Sequence, residues 1–354
     1  MKIVSVVGAR PQFIKASAVS GELRKKHTEI LIHTGQHFDD NMSAVFFEEL
    51  GIPKPDINLH VSGGTNTGQV ARMMLKLEKQ FRELEPELVL VYGDTNSTLA
   101  GALTGRQMNI PVAHVEAGLR SFRMSMPEEQ NRIITDAISS ILFCPTMTAV
   151  EQLRKEGIER GVYFTGDVMY DAVLRFKDMS SGRVDYGELG VKPGQYNLLT
   201  LHRAENTDNK ENLRGILRGV RNSSIPVVFP MHPRTKKALK KHGLENEISG
   251  NIHVIEPVGY LEMIELEKNA KRILTDSGGV QKEAYFLKVP CITLREETEW
   301  VETVEDGWNV LTGADENRIS REINSFSPAG KQRNVFGDGK AGSRIVEILS
   351  EVEG

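Results

Sequence analysis

The sequence predicts an α/β protein of two Rossmann-like domains, each with a doubly wound parallel sheet, and three observations support that prediction. Short apolar runs of four to six residues alternate with longer amphipathic stretches, which is typical of βαβ units. The alternation pauses at residues 179–195, which are rich in Gly and Ser, and then starts again. The length of 354 residues favours two domains over one. We expect the two domains to face each other across a cleft.

Each half of the chain contains six predicted strands separated by helical patterns. The strands are predicted in KIVSVV, EILIHT, ELVLVY, PVAHVE, SILFC and VYFTG, and then in YNLLTL, IPVVFPM, NIHVIEP, RILTD, PCITL and NVLTG. The last helical pattern, at residues 341–351, has no strand after it, so we expect that helix to return to the first domain. The predicted boundaries are 1–168 for the first domain, 169–340 for the second and 341–354 for the returning helix.

Composition excludes several classes of protein. With 39% hydrophobic and 26% charged residues the chain is typical of a globular protein, and its net charge of −4 argues against a nucleic-acid binder. No apolar segment is long enough to span a membrane, and residues 1–11 lack the features of a secretory signal. Cys144 and Cys291 lie in apolar, strand-like runs and are predicted to be reduced core residues. A cytoplasmic location fits all of these observations.

Polar residues just after the strands are the candidate site residues, because ligands of open α/β sheets bind beyond the carboxyl ends of the strands. After the first strand, Arg10 and Lys15 bracket the start of a helix, where phosphate is favoured. The alternative is a turn with two solvated cations. Gln36 and His37 follow the second strand, and they either line the cleft or cap the next helix.

Carboxylates follow the third and fourth strands. Asp94 lies in YGDTNST, where a catalytic or orienting role is favoured over a simple helix cap. Glu116 ends a valine-rich strand, and a purely structural role would require a fixed cation, which Arg120 is placed to supply. Glu128 and Glu129 follow a proline at a helix start, where the helix dipole alone favours acids. At least one of these two glutamates is interpreted in that way.

The second half repeats the arrangement with basic residues. His202 follows its first strand and His232 its second, each two residues or fewer from an arginine, which favours phosphate binding or general acid chemistry. In ILTDSGGVQKEA a strand leads through a glycine turn into a helix whose N–H groups would bind a diphosphate. Glu283 lies about one turn into that helix and is placed to accept hydrogen bonds from ribose hydroxyls.

Several cofactor motifs are missing from the sequence. It contains no GxGxxG or Walker A loop, so dinucleotide and P-loop ATP binding are disfavoured. It also contains no HExxH, EF-hand or cysteine cluster, so no metal site is predicted.

Nine motifs together show a resemblance that spans essentially the whole chain. They are GARPQFIK, TGQH, YGDTNST, HVEAGLRS, PEEQNR, HRAEN, DSGGVQKEA, TEWVE and GDGKAGSRI. In this order and spacing they resemble the non-hydrolysing UDP-N-acetylglucosamine 2-epimerases, a family with the two-domain glycosyltransferase-B fold.

The resemblance implies a reaction and a setting. The reaction is reversible conversion of UDP-GlcNAc to UDP-ManNAc by anti elimination of UDP, which leaves bound 2-acetamidoglucal, followed by re-addition. No cofactor and no metal are implied, and the implied assembly is a homodimer that supplies surface polysaccharide or glycan synthesis. Alternatives are a hydrolysing 2-epimerase that releases ManNAc, a UDP-sugar glycosyltransferase, and a catalytically silent UDP-sugar binding protein.

The resemblance also assigns roles to matching positions. The catalytic residues that it implies are Asp94, Glu116, Glu128 and His202. The implied substrate-binding residues are Arg10, Lys15, Arg132, Val258, Met263, Ser277, Gly278, Gly279 and Glu283. Residues matching parts of an activating second UDP-GlcNAc site are Gln36, His37, Arg72 and His232, although Gly64 stands where a glutamine is expected.

The chain departs from the family pattern around the nucleotide base. Met263 stands where bacterial members stack an aromatic ring on uracil, and Val258 replaces a neighbouring uracil contact. Trp300 stands where many members carry arginine, so one nucleotide contact is lost or comes from another residue such as Arg295.

Overall fold

The computed structural model describes residues 1–36 and 47–352 and divides the chain into two compact units. The first unit consists of Met1–Ala172 together with Asn334–Gly354, and the second is Val173–Arg333. His37, a predicted site residue, lies outside the described residues. No helix among the described residues combines the length and apolar character needed to cross a membrane.

The first unit is built on a seven-stranded sheet in the order β3-β2-β1-β4-β5-β6-β7, with every neighbouring pair parallel. The strands are β1 Lys2–Val7, β2 Thr28–His33, β3 Ile57–Asn58, β4 Leu88–Tyr92, β5 Val112–Val115, β6 Ile141–Cys144 and β7 Val162–Phe164. The helices are α1 Arg10–Lys26, α2 Asn66–Leu84, α3 Asn96–Gln107, α4 Pro127–Ile138, α5 Met147–Lys155 and the C-terminal α14 Ala341–Val352, and α6 Val168–Met179 begins in this unit and continues into the second.

The second unit repeats the same topology with six parallel strands in the order β10-β9-β8-β11-β12-β13. Its strands are β8 Asn197–Thr200, β9 Val227–Pro230, β10 Ile252–Ile255, β11 Arg272–Thr275, β12 Cys291–Thr293 and β13 Asn309–Leu311. Its helices are α7 Ala204–Thr207, α8 Lys210–Arg221, α9 Pro233–His242, α10 Tyr260–Lys268, α11 Gly278–Phe286, α12 Val301–Glu305 and α13 Glu316–Ser325, with a 3-10 turn at Glu245–Glu247. The prediction of two doubly wound parallel sheets is confirmed.

Small residues let the helices lie close to the first sheet. A Cβ atom added to Gly101 of α3 would lie 3.0 Å from Val91, and one added to Gly105 would lie 3.1 Å from Val89 and from Val112. Both distances are shorter than ordinary van der Waals contact, so α3 packs against β4 and β5 because these two positions lack side chains.

The ends of the first unit are joined through α14, which packs against α1. The Ser350 hydroxyl and the His27 ring nitrogen lie 3.0 Å apart, and a Cβ atom at Gly342 would lie 2.1 Å from the Ala18 carbonyl oxygen. The backbone N–H of Gly342 donates to Asp171 of α6 at 2.8 Å.

The glycine- and serine-rich stretch at residues 179–195 is an ordered edge of the second unit. The backbone N–H of Arg183 donates to the Glu265 carboxylate at 2.6 Å, and the Tyr186 hydroxyl donates to the carbonyl of the same residue. Val191 joins the core on that side. The two cysteines, predicted to lie in the core, are buried with free thiols at the ends of β6 and β12.

Candidate active site

Each sheet reverses its strand order once, and several predicted site residues follow strands at or beside these two positions. In the first sheet the reversal lies between β1 and β4, and in the second between β8 and β11. Crevices outside the strand ends at such points bind ligands in open α/β sheets. Asp94 follows β4, Glu116 follows the neighbouring β5, and His202 and Asp276 follow β8 and β11.

Lys15 and Glu116 form a buried ion pair in the first unit. The Lys15 ammonium donates to Glu116 Oε1 at 2.6 Å, and both side chains are less than a tenth exposed. A Cβ atom at Gly93 would lie 2.8 Å from Lys15 Nζ, so the ammonium occupies space that only glycine leaves open. The cation beside Glu116 is therefore Lys15 of α1, whereas Arg120 pairs with Asp136 and Glu156.

The backbone at Glu116 is in a conformation that side chains rarely adopt. Its φ is +72°, in the left-handed region that disfavours residues other than glycine, asparagine and aspartate. Strain of this kind persists only where the surrounding structure holds it, and it is common at functional sites. The turn after β5 therefore fixes the Glu116 carboxylate against Lys15.

Asp94 is held by Arg132, on the second turn of α4. The guanidinium donates to Asp94 Oδ2 at 2.6 Å and to Glu129 Oε2 at 3.0 Å, while the Asn131 amide donates to the Asp94 carbonyl at 2.9 Å. Arg132 thus orients the Asp94 carboxylate of its own unit.

The two glutamates at the start of α4 differ in their surroundings. Glu129 is buried and accepts from the backbone N–H groups of Ser121 and Phe122, each at 2.8 Å. Burial would raise the pKa of Glu129, but these donors, the Ser121 hydroxyl and Arg132 together lower it. Glu128 is half-buried and has no hydrogen-bond or ion-pair partner within residues 1–36 and 47–352.

Gln36 and Arg72, matched to an activator site, each contact their own unit. Gln36 Oε1 accepts from the backbone N–H of Ser97 at 3.0 Å and from its hydroxyl at 2.7 Å. Arg72 donates to the Gly63 carbonyl at 2.6 Å, and a Cβ atom at Gly64 would lie 3.1 Å from its guanidinium. Arg10, at the first position of α1, is exposed.

In the second unit, a buried aspartate organises the loop that carries His202. Asp276 accepts from the backbone N–H groups of His202 at 3.1 Å and Arg203 at 2.9 Å, and from the Asn206 amide at 3.2 Å. Sequence reasoning treated this aspartate only as part of the DSGG motif, although an acid at the end of a buried strand beside HRAEN could have indicated its role.

His202 lies beside His232, and the two rings have centroids 5.4 Å apart. Burial lowers the pKa of His202, Asp276 opposes this, and the charges of His232 and Arg203 lower it further. Burial and Arg234 likewise lower the pKa of His232. His232 Nδ1 also accepts from the backbone N–H of Arg234 at the start of α9.

The two glycines that start α11 are bordered by an indole ring. Ser277 precedes the helix and makes no side-chain capping bond, and a Cβ atom at Gly278 would lie 3.4 Å from Trp300 Nε1. The ammonium of buried Lys282 lies 4.0 Å from the Trp300 ring centroid, a cation–π contact. A Cβ atom added to Gly279 would lie 3.8 Å from the Ser277 hydroxyl oxygen, which is an ordinary contact distance. Sequence reasoning did not find the Lys282–Trp300 contact.

Glu283 is buried in α11, next to a second buried acid. Its carboxylate accepts from the Tyr260 hydroxyl at 2.8 Å. Glu267 of α10 has no solvent exposure and no donor to either carboxylate oxygen among the described residues. Burial and the Glu283 charge raise the pKa of Glu267 well above its usual value, and burial also raises that of Glu283.

The residues expected near the base are partly buried and pack on the second core. Val258 and Met263 both contact the cluster that contains Leu266 and Ala284. Arg295, named as a substitute nucleotide contact, is paired instead with Glu205 at 2.9 Å and Glu299 at 3.1 Å.

No group of three or more His, Cys, Asp or Glu side chains in the described part of the chain is arranged to hold a metal ion.

Comparison with known proteins identifies relatives along the full length. A family model described as UDP-N-acetylglucosamine 2-epimerase matches residues 21–350. A Methanococcus maripaludis protein described as a UDP-N-acetylglucosamine 2-epimerase homolog is 54% identical, with 99% of each chain covered. A Pseudomonas aeruginosa UDP-2,3-diacetamido-2,3-dideoxy-D-glucuronate 2-epimerase is 49% identical, with 99% of this chain and 100% of the relative covered.

A solved structure agrees with the fold. The crystal structure of Methanocaldococcus jannaschii UDP-GlcNAc 2-epimerase in complex with UDP-GlcNAc and UDP aligns with a TM-score of 0.90 and 45% identity, covering 99% of this chain and 100% of that one. Two doubly wound sheets, with carboxylates after β4 and β5 in one and two glycines starting a helix beside the reversal point of the other, are consistent with these relatives and place the chain among enzymes that act on nucleotide sugars. The chain belongs to the UDP-N-acetylglucosamine 2-epimerase family.

Proposed function

We propose that this enzyme reversibly epimerises UDP-GlcNAc to UDP-ManNAc at C2, without hydrolysis. The observation that carries the proposal is the arrangement of three carboxylates in the first unit: Asp94 beside Arg132, Glu116 beside Lys15, and Glu128 without a partner among the described residues. Family membership and the ligands named for the archaeal relative support the same substrate.

The proposed reaction is an elimination followed by re-addition. A base removes the C2 proton, its electron pair forms the C1–C2 double bond, and UDP leaves with the C1–O electrons. UDP then adds back to the 2-acetamidoglucal while C2 receives a proton on the opposite face. Two positioned acid or base groups are sufficient for these proton transfers, so the reaction needs no redox cofactor and no metal.

The contacts of the three carboxylates support different roles. Lys15 and Arg132 are the cations paired with Glu116 and Asp94. Ionised carboxylates also stabilise positive charge that develops at C1. Glu128 is half-exposed and unpaired within the described residues, which suits a group that gains and loses a proton in each turnover.

The second unit is proposed to hold the nucleotide. The turn at Ser277, Gly278 and Gly279 presents backbone N–H groups at the start of α11, where a diphosphate is favoured. His202 would carry positive charge toward the departing diphosphate. Glu283 would bind ribose hydroxyls, and Val258 and Met263 would contact the base.

The P. aeruginosa relative gives a second candidate substrate. At 49% identity it is slightly more similar to this chain than the archaeal UDP-GlcNAc enzyme at 45%. Its named substrate is a 2,3-diacetamido glucuronate attached to UDP, and epimerisation at C2 of that sugar requires the same proton transfers. The two substrates differ at C3 and C6, so comparing kcat/KM for both measures which one this enzyme prefers.

The mechanism is tested by incubating the enzyme with UDP-GlcNAc in D2O and following the sugar signals by NMR. We expect a mixture of UDP-GlcNAc and UDP-ManNAc, both carrying deuterium at C2. Free ManNAc would show a hydrolysing enzyme, and transfer to an added acceptor would show a glycosyltransferase. Epimerisation without deuterium would exclude elimination, and binding without any turnover would leave only a UDP-sugar binding protein.

Two further expectations remain part of this proposal. The family resemblance implies a homodimer in the cytoplasm, feeding polysaccharide or glycan synthesis. Activation by a second UDP-GlcNAc would require Gln36 and Arg72 to exchange their present contacts with Ser97 and Gly63 for contacts with the ligand.

A further inference from the structure

His114 lies in an interior strand of the first sheet and is completely buried. It belongs to β5, two residues before Glu116. Its Nδ1 lies 2.7 Å from Asp136 Oδ1, and its Nε2 lies 2.7 Å from the Gly93 carbonyl oxygen. Both ring nitrogens thus face an oxygen at short hydrogen-bond distance.

The two oxygens can only accept. A backbone carbonyl has no proton to give, so Nε2 must donate to Gly93. Asp136 also accepts from the Gly118 backbone N–H at 3.1 Å and from Arg120 at 2.7 Å, which are the contacts of an ionised carboxylate. Nδ1 must therefore donate as well. A neutral ring would place one nitrogen lone pair against an oxygen lone pair with no solvent to relieve it.

The surrounding charges accommodate a cation on this ring. Asp136 contributes a negative charge against both His114 and Arg120, and Arg120 is further paired with Glu156 at 2.6 Å. Cys144 of β6 is a further titratable group close to Asp136 and Arg120, and burial raises the pKa of its thiol, so it stays neutral. The cluster is thus two cations and two anions.

We propose that His114 is a buried imidazolium that positions the Gly93 turn, and through it the two carboxylates on either side. The roles of Asp94 and Glu116 in this inference rest on the proposed function. His114 itself has no exposed surface and is a positioning residue, since it acts through the backbone of Gly93.

The Gly93 turn connects the ion pair to Asp94. The Gly93 N–H donates to the Val115 carbonyl at 2.9 Å, so the imidazolium and β5 hold this residue by both of its backbone groups. Its φ of +64° requires glycine, and Lys15 Nζ fills the space where a side chain would be. Asp94 is the next residue. Without the Nε2 donor, the Gly93 turn would lose one of its two backbone hydrogen bonds. Asp94 would then be less firmly positioned relative to Lys15 and Glu116.

The charge state is tested by solid-state 15N NMR of the whole protein with labelled histidine. We expect both nitrogens of His114 to be protonated at neutral pH, with the His114→Gln variant identifying its signals. Buried His33 is the internal control. Its Nδ1 accepts a hydrogen bond from the Gly35 N–H at 3.0 Å, so that nitrogen must be unprotonated. A single protonated nitrogen on His114 would overturn the proposal.

The positioning role is tested by kinetics of the His114→Gln variant. We expect kcat to fall ~10- to 100-fold, because small misplacement of catalytic groups has effects of this size, while KM changes by less than ~3-fold. His27→Gln is the control, since His27 is a buried histidine of the same unit that contacts Met1 and Ser350. Unchanged kcat in a folded His114→Gln protein would exclude the positioning role.

The two measurements separate the inference from the proposed function. If the wild-type enzyme does not epimerise UDP-GlcNAc, the NMR result still decides whether His114 is an imidazolium. If His114→Gln fails to fold, His114→Asn is assayed in its place, because asparagine can keep one donor toward a backbone carbonyl while it cannot span both acceptors.

Discussion

Glu128 and Glu129 are adjacent in α4, and the same substitution should affect them differently. We expect Glu128→Gln to lower kcat about 100-fold or more, the scale of losing an acid or base group, with no change in Tm. Glu129→Gln should lower stability by about 1 to 3 kcal/mol, because three donors and Arg132 lose an ionised acceptor. Turnover and thermal unfolding of both variants are the measurements. Near-normal turnover of Glu128→Gln would remove that residue from the catalytic set.

His202 and His232 of the second unit should take up protons when UDP binds. In the free enzyme the pKa values of His202 and His232 are lowered by burial, so both rings are mostly neutral near their ordinary pKa of about 6.5. A bound diphosphate would raise both values, because an opposite charge favours the protonated ring. We expect UDP to bind with net proton uptake at about pH 6.5, measured by calorimetry in buffers of different ionisation enthalpy.

The matched variants for that measurement are His202→Asn and His253→Asn. The first should remove most of the uptake, whereas the second changes a histidine on β10 that contacts the Leu189 carbonyl and should leave uptake unchanged. Proton release, or no proton exchange in the wild type, would contradict the assignment of His202 to the diphosphate.

At this scale the sequence indicates candidate side chains better than it indicates how they pair. Asp94 and Glu116 could be singled out as candidates because a carboxylate after a buried strand is unusual. Their partners could not, since Lys15 is 101 residues from Glu116 in the chain and Arg120, only four residues away, turns toward Asp136 instead. Which cation pairs with which carboxylate depends on how the helices pack against the sheet, and the local sequence does not show that packing.

Strands are the elements that sequence predicts best in this protein. The twelve predicted strands correspond to all strands of the described residues except β3, because strands buried on both faces are continuous apolar runs. The exception, Ile57–Asn58, is two residues long and half polar, so it carries no recognisable period. This segment becomes a strand because it pairs with β2 at the edge of the sheet.

The contact between α6 and α14 should make the stability of the protein depend on pH. Asp171 accepts from the Gly342 N–H, but burial raises its pKa to about 6, and its Oδ1 has no partner among the described residues. A carboxyl group with a raised pKa in the folded state contributes its full stability below its unfolded pKa of about 3.9 and loses it as pH rises through about 6. We expect Asp171→Asn to stabilise the protein by roughly 2 kcal/mol near neutral pH, after allowance for solvent screening.

Urea unfolding at about pH 4 and about pH 7 measures this effect, because the two values bracket the titration. The stabilisation should be present at the higher pH and largely absent at the lower. Asp178→Asn, which changes an exposed aspartate of the same helix, is the control and should show no such dependence. If Asp171→Asn changed the free energy of unfolding equally at both pH values, ionisation of Asp171 would be excluded as the cause.

For the whole molecule, the sequence predicts the two sheets and the returning helix from one repeated pattern. It does not show where the units divide, because the division between Ala172 and Val173 lies inside the continuous helix α6. It also does not show that the first unit resumes at Asn334, before the last helix begins. Both properties follow from long-range contacts that leave no local mark on composition.

The discontinuity of the first unit sets an order for folding during synthesis. The second unit consists of consecutive residues and is complete once residue 333 has left the ribosome, whereas the first needs residues that follow it. Until then α1 lacks the helix that packs against it, where Gly342 of α14 lies close to Ala18. The second unit can therefore fold before the first, although most of the first is synthesised earlier. Until residues 334–354 are made, the incomplete first unit must be kept from aggregating.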